Sequence, residues 1–432
     1  MLLAREWRAD FQDHLLKTYR RPVICFTMNI PGPVKDSPLI RRSFHWGLER
    51  LEKRLSGVLF RRAREAVTGC EAYFVAGGTA LELKRLCTEL EDGTPMGRLF
   101  DMDVTDADGM KLERTLVNGK SRDCIVCGAP GRGCASRRLH SVPELQAAAY
   151  RIMAEYFLRE DRLQVEKLAV QSLLDEVHTT PKPGLVDRRN SGSHRDMELS
   201  TFHASAKALR SYFQECFQLG CDTAGGKPED TFLHLRRAGI RAEKEMYRAT
   251  GGVNTHKGAI FTLGILCGCL GRLWTPEKPI VPMETLLSHC AAMGRIALKD
   301  LECLTVPATA GEKLYLERGI TGIRGEMAAG LPSVVTVSLP AYRMAREAGY
   351  RPNDAGGVAL LHLIARVEDS NLYRRGGPEG AAWAKAEAEK CLPLPSMEQI
   401  AVLDDAFIAR NLSPGGCADL LAATLFLAAL YE

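Results

Sequence analysis

The sequence predicts an α+β N-terminal domain followed by a larger all-α domain. Three observations carry this. Before about residue 150, short apolar segments bounded by turn residues alternate with helical stretches. From about Pro143 onward, apolar residues recur at helical spacing and strand patterns all but vanish. The length, 432 residues, gives room for two to three domains at ~100–200 residues each. No Pro/Gly-rich linker marks the join, which falls between two helices near Asp161. The predicted domains are residues 1–160 and 161–432.

Residues 22–27, 72–76 and 98–104 are apolar, short and flanked by turn residues, so they read as strands. Residues 48–64 read as a helix, with Leu51, Leu55, Val58 and Leu59 on one stripe. In the second domain the spacing predicts helices over 145–158, 162–176, 201–217, 233–250, 258–273 and 282–304. It predicts further helices over 341–348, 357–367, 381–391, 396–408 and 417–431.

Composition excludes several function classes. Lys plus Arg outnumber Asp plus Glu by only 57 to 53, too little to demand nucleic acid or an anionic membrane. The first ten residues mix both charges and hold no apolar stretch of signal-peptide length. The longest apolar runs, residues 258–271 and 417–431, fall short of the ~18 residues of a membrane span, and the second contains Asp419. The 14 cysteines then read as reduced thiols of a cytoplasmic protein.

In the first domain, an apolar segment from Cys25 ends in a Pro/Gly turn carrying Lys35. Within Gly-Arg-Leu-Phe-Asp-Met-Asp-Val (97–104), Asp101 and Asp103 alternate with apolar residues. On a strand they point to one side, where two carboxylates can share a divalent cation. The alternative is two solvated acids on an edge strand. Cys124-Ile-Val-Cys127, then Cys134 and His140, offer a zinc ligand set. The alternative is a turn with reduced thiols.

In the second domain six loops carry more polar, Gly and Pro residues than a helical bundle needs. In the first, 176–196, Pro181 and Pro183 stiffen a loop that presents Lys182 to phosphate, between Thr180 and Asp187. The second, 250–258, brings Asn254, three glycines and Lys257 to a helix start, a place suited to an anion. The third is Thr309-Ala-Gly311 with Glu312. In the fourth, 319–332, Arg324 offers a planar fork for phosphate, and Glu326 can take a proton or hold Mg²⁺ through water. The fifth, 368–377, holds Asp369, Asn371, Arg374 and Arg375. The sixth, 411–416, places Ser413 to cap the last helix, while Gly415 and Gly416 open its N-terminus. Each loop alone could be a plain turn; together they point to one polar site.

The stretches 176–187, 251–258, 322–326, 369–371 and 411–416 closely resemble the triphosphoribosyl-dephospho-coenzyme A synthase family, over residues 167–431. Residues 26–36, 97–104, 124–134 and His140-Ser141 resemble the phosphoribosyl-dephospho-coenzyme A transferase of citrate lyase, over residues 2–145. The chain resembles a fusion of the two. The resemblance implies that the second domain joins ATP to 3′-dephospho-coenzyme A through the ribose 2′-hydroxyl, releasing adenine. It implies that the first transfers the product to a serine of the apo acyl carrier subunit of citrate lyase, releasing diphosphate.

Asp187 and Glu326 are then the acid–base and oxocarbenium-stabilising candidates, in either order. Lys182, Lys257 and Arg324 would hold phosphates, with Lys35, Thr180, Asn254, Asn371, Arg375, Ser413, Gly415 and Gly416 completing the binding set. Mg²⁺ would bridge phosphate to Asp369, and in the first domain would sit on Asp101 and Asp103, a logic that resembles nucleotidyltransferases and makes the first domain nucleotidyltransferase-like by analogy. Zn²⁺ would sit on the Cys/His set. Rival readings are a helical nucleotide or ADP-ribosyl hydrolase, the equivalent enzyme of malonate decarboxylase, and a non-catalytic binding protein with a zinc module.

Overall fold

A computed structural model describes residues 2–119 and 121–432. The chain divides into two compact units, Met1–Glu160 and Asp161–Glu432. The division falls inside one helix.

The first unit is built on an antiparallel sheet in the order β2-β3-β1-β4: β1 (Val23–Met28), β2 (Phe60–Arg64), β3 (Glu71–Val75) and β4 (Phe100–Thr105). Its helices are α1 (Leu2–Tyr19), α2 (Pro38–Arg54), α3 (Ala80–Asp92) and the short α4 (Gly131–Arg137). Leu15 and Leu16 of α1 pack with Val23, Cys25, Tyr73 and Val75 on one face. On the other face Phe26 lies 4.9 Å from Phe44 and 5.2 Å from Phe100, ring centre to ring centre. Gly47 permits that stack, because a Cβ there would stand 2.7 Å from the Phe100 ring.

The helix expected over 48–64 is corrected. It starts at Pro38, capped by Ser37, and ends at Arg54. Leu55 is already extended (φ −79°, ψ 140°), Gly57 takes a left-handed φ of 58°, and residues 60–64 form a strand. The apolar stripe misled because only Leu51 enters the core, while Val58 and Leu59 are exposed.

The second unit is all helical among the described residues. Helix α5 (Val142–His178) leads into it and is followed by α6 (Leu199–Ala208), α7 (Arg210–Asp222), α8 (Pro228–Ala249), α9 (Lys257–Leu273) and α10 (Met283–Glu302). Next come α11 (Ala310–Arg318), α12 (Gly322–Ala328), a π-helical turn (Val334–Ser338), α13 (Leu339–Glu347) and α14 (Pro352–Arg366). The chain ends with α15 (Ser370–Cys391), α16 (Met397–Ala409) and α17 (Gly415–Tyr431). Helices α9, α14 and α17 are buried nearly all round, as their apolar sequences require. At Gly271 of α9 a Cβ would stand 1.9 Å from the Phe217 carbonyl oxygen, so the glycine lets α7 lie against α9.

Three boundaries differ from expectation. The helices over 145–158 and 162–176 are one, because no breaker separates them. The helix over 201–217 divides at Leu209 into α6 and α7. Parts of the third and fourth loops are the short helices α11 and α12. Among the described residues no helix is long and apolar enough to cross a membrane.

Candidate functional site

In the second unit, four of the six loops converge on a cavity of about 480 Å³. They are the α5–α6 loop, the α8–α9 loop, the α14–α15 junction and the α16–α17 junction. Lys257 and Gly258 open α9, Asn371 lies in the first turn of α15, and Gly415 starts α17, so three helix N-termini line the wall. The N-cap residues of α9 and α17, His256 and Pro414, make no side-chain cap hydrogen bond, although Asp369 takes the Cys417 N–H in the first turn of α17. Aligned N–H groups at such starts favour an anion.

Seven expected binding residues line this cavity: Lys182, Asn254, Lys257, Asn371, Arg375, Ser413 and Gly415. Their partners are specific. Lys182, expected to reach outward, is buried, and its Nζ donates to Glu176 Oε1 at 2.6 Å and to the Glu176 carbonyl at 2.8 Å. Lys257 Nζ pairs with Glu243 at 3.0 Å. Arg375 donates to the Ser193 carbonyl and to Asn411 Oδ1, and one of its nitrogens lies 3.2 Å from His194 Nδ1. Ser413 does not cap α17 as expected; its Oγ lies 2.9 Å from His194 Nε2. A Cβ on Gly415 would stand 2.8 Å from Asn371 Nδ2, and one on Gly416 3.0 Å from Asp369 Oδ2, so both glycines serve close packing at the helix start.

The expected carboxylates lie elsewhere. Asp187 accepts from the backbone N–H groups of Lys182, Arg189 and Asn190, which orders its own loop. Glu326 accepts from the Ser333 hydroxyl at 2.5 Å and from the Ser333 N–H. Asp369 is the N-cap of α15 and takes the N–H groups of Asn371, Leu372 and Cys417. With its oxygens so engaged it does not fit the Mg²⁺ role. Thr180 Oγ1 accepts from Arg188 N–H, and its backbone N–H and carbonyl bond the Asn353 side-chain amide, outside the cavity wall. Arg324 pairs with Glu312 and lines a different cavity of about 440 Å³.

The acids that do line the first cavity are Glu176, Asp196 and Asp419. Burial raises the Asp419 carboxyl well above the usual range, and the charge of Glu176 raises it further. Burial also raises Glu176, against the pull of Lys182. Gly258 leaves room for Asp419, since a Cβ there would meet Asp419 Oδ2 at 2.0 Å. His256 is buried, its Nδ1 lies 2.7 Å from Ser205 Oγ, and its Nε2 has no partner among the described residues. Burial, with the charge of Lys182, pushes it down to about 3. Burial and Arg375 push His194 down to about 4. Both imidazoles are therefore neutral near pH 7. Sequence reasoning passed over Asp419, His256 and the role of Glu176. An acid inside the apolar run 417–431 was the available signal.

In the first unit, β4 alternates buried Phe100, Met102 and Val104 with half-buried Asp101 and Asp103. The two aspartates stand opposite Thr27 and Cys25 of β1, on the face that α1 covers in part. Asp103 accepts from Lys111 Nζ at 2.6 Å. No donor among the described residues reaches Asp101, whose carboxyl is raised by burial and then by the charge of Asp103. A half-buried acid pair with one member lacking a donor fits a divalent cation. Lys35 is turned away from this role, its Nζ donating to the Ile30 carbonyl. The thiols of Cys124, Cys127 and Cys134 and a nitrogen of His140 all lie within 4.8 Å of one another.

Comparison with known proteins adds the following. A family model described as "CitG: ATP:dephospho-CoA triphosphoribosyl transferase" matches residues 162–432. One described as "CitX: Apo-citrate lyase phosphoribosyl-dephospho-CoA transferase" matches residues 1–156. The chain is 34% identical to Protein CitXG of Haemophilus influenzae over 446 residues, covering 99% of this chain and 94% of that protein. It is 31% identical to Protein CitXG of Leuconostoc mesenteroides subsp. cremoris over 450 residues, covering 99% and 95%.

Proposed function

The chain belongs to the family of CitXG proteins, which joins an apo-citrate lyase phosphoribosyl-dephospho-CoA transferase to an ATP:dephospho-CoA triphosphoribosyl transferase, and from that premise we propose how its two units divide the work. The protein is a transferase that makes and attaches the prosthetic group of citrate lyase. Residues 161–432 convert ATP and 3′-dephospho-coenzyme A to 2′-(5″-triphosphoribosyl)-3′-dephospho-coenzyme A and adenine. Residues 1–160 transfer that product to a serine of the apo acyl carrier subunit, with release of diphosphate. The use of ATP and dephospho-coenzyme A supports a cytoplasmic location for this work.

One observation carries the assignment of the first step: three helix N-termini and two carboxylates of raised pKa meet at one cavity. The triphosphate lies against the starts of α9 and α17, with Lys257, Arg374 and Arg375 beside it. The bond from ribose C1′ to adenine breaks, and the bond from C1′ to the 2′-oxygen of dephospho-coenzyme A forms. One group of the Glu176/Asp419 pair faces the developing positive charge as a carboxylate, and the other, holding its proton, gives it to the departing adenine and regains one from the hydroxyl. We assign these roles to Glu176 and Asp419 rather than to Asp187 and Glu326, which do not line the cavity. His256, with Nε2 unpartnered, is placed to bond the nucleotide.

In the first unit Asp101 and Asp103 would hold Mg²⁺, which when bound neutralises the leaving diphosphate. Gly77 and Gly78 stand between β3 and α3, upstream of this strand, where Gly77 N–H donates to the Ser56 carbonyl, and glycines upstream of an Asp-x-Asp strand support the nucleotidyltransferase analogy. The test is direct. The protein, ATP, Mg²⁺ and dephospho-coenzyme A are incubated together, and free adenine is measured. Adenine release that does not need dephospho-coenzyme A would turn the reading into hydrolysis.

A further inference from the structure

The loop between β4 and α5 carries four soft and borderline donors that the transfer chemistry does not use. Cys124, Cys127, Cys134 and His140 converge from three places: a tight turn, the short helix α4 and the residues before α5. Cys127 Sγ lies 3.5 Å from Cys134 Sγ and 3.3 Å from His140 Nε2. A disulfide needs sulfurs near 2.05 Å, so this spacing is not one. A tetrahedral zinc ion with Zn–S near 2.3 Å separates its sulfurs by about 3.8 Å, which the cluster matches.

The backbone is arranged around the same point. Cys124 N–H donates to the Ala129 carbonyl and Gly128 N–H to the Cys124 carbonyl. Gly128 has φ +72°, which lets the chain turn tightly after the second cysteine. The N–H groups of Val126 and Cys127 face the Cys124 sulfur. Such a turn gives a thiolate partners beyond the metal.

The loop is tied to the transfer site. Arg122 Nη2 pairs with buried Glu91 at 2.6 Å, and Glu91 accepts the N–H of Met102 at 2.8 Å. Met102 stands between Asp101 and Asp103. Gly131 N–H donates to the Arg122 carbonyl at 3.0 Å, and Arg98 donates to the Asp123 carbonyl at 3.0 Å. Fixing the cysteines therefore fixes Arg122, and through Glu91 the strand that carries both aspartates.

We propose that Cys124, Cys127, Cys134 and His140 bind one zinc ion in a closed Cys₃His site, and that this site positions Arg122 and the Asp101/Asp103 strand for transfer. With four protein ligands the ion has no open position, so its role is to hold structure. The positioning half rests on the transferase reading; the zinc half does not.

The test uses the full chain purified without chelators. Elemental analysis is expected to give about one zinc per chain, and X-ray absorption about three sulfurs near 2.3 Å and one nitrogen near 2.0 Å. No metal, iron in its place, or a disulfide in the intact mass overturns the site. Cys127→Ser and His140→Ala are expected to lose most of the zinc, and wild-type zinc content in both overturns the ligand set. In Cys127→Ser, carrier attachment is expected to fall about 10- to 100-fold, the usual scale for a lost supporting shell, while adenine release stays at the wild-type rate. Wild-type attachment by a zinc-free variant overturns the positioning role. A zinc-loaded wild type that attaches nothing to the carrier overturns the transferase reading and leaves the zinc site standing.

Discussion

Lys182 Nζ stands 2.6 Å from Glu176 Oε1, and both side chains are buried at the cavity wall. The pair closes the loop that starts at the end of α5, since Lys182 also holds the Glu176 carbonyl. Removing one partner of a buried pair leaves an uncompensated charge, at a cost of about 3–5 kcal/mol. Lys182→Met is therefore expected to destabilise the second unit by that order. Urea unfolding followed by circular dichroism measures it. A loss under about 1 kcal/mol would show that the pair is not desolvated in solution.

A second expectation concerns Gly258. Its missing Cβ is the space that Asp419 Oδ2 occupies. Gly258→Ala pushes the carboxylate from its place while suiting a helix as well as glycine does or better. Misplacing a catalytic group by about 1 Å can cost about 100-fold, so adenine release should fall on that scale with helix content intact. An unchanged rate would remove Asp419 from the reaction.

The sequence showed much of this site, but not which acid does what. The alternation over 97–104 is a strand with both aspartates on one side, as β4 has it. Four of the six polar loops meet at one cavity. Asp187 and Glu326 do not line that cavity, which the sequence could not show, because an acid in a loop reads the same whether it faces a ligand or its own backbone N–H groups. Their partners, Lys182, Arg189, Asn190 and Ser333, are set by the fold of the loops. Asp419 was overlooked for the opposite reason. It sits in an apolar helix, and its meaning depends on Gly258, 161 positions earlier in the chain.

A third expectation is a pH dependence of stability. Burial and Glu176 raise the Asp419 carboxyl above the ordinary carboxyl value of about 4. Between that value and the raised one, the folded protein keeps a proton that the unfolded chain has lost. This contribution is fully present below about pH 4 and is lost as pH rises through the folded value. Asp419→Asn cannot ionise, so it should unfold at a higher temperature than the wild type at pH 8, with the gap closing toward about pH 4. The same variant should lose about 100-fold or more in adenine release. A gap of constant size across this range would show that Asp419 titrates normally.

The last expectation separates the two units. Asp101 and Asp103 lie in the first, and the nucleotide cavity lies in the second. Changing both aspartates to Asn removes the negative charge a divalent cation needs and keeps side-chain size nearly constant. It also frees Lys111 from Asp103, an ion pair at the surface worth about 0–1 kcal/mol, so the fold should survive. The double variant should still release adenine from ATP and dephospho-coenzyme A, and should accumulate the triphosphoribosyl product. It should attach nothing to the carrier subunit, even when that product is supplied. Arg374→Ala should do the reverse, because Arg374 lines the nucleotide cavity: synthesis weakens, and supplied product is still transferred. The mass of the carrier subunit is the readout, since attachment adds one large and defined increment. Normal attachment by the Asn variant would mean that the two acids are merely solvated on an edge strand. Loss of adenine release in it would mean that the two reactions share residues across the chain.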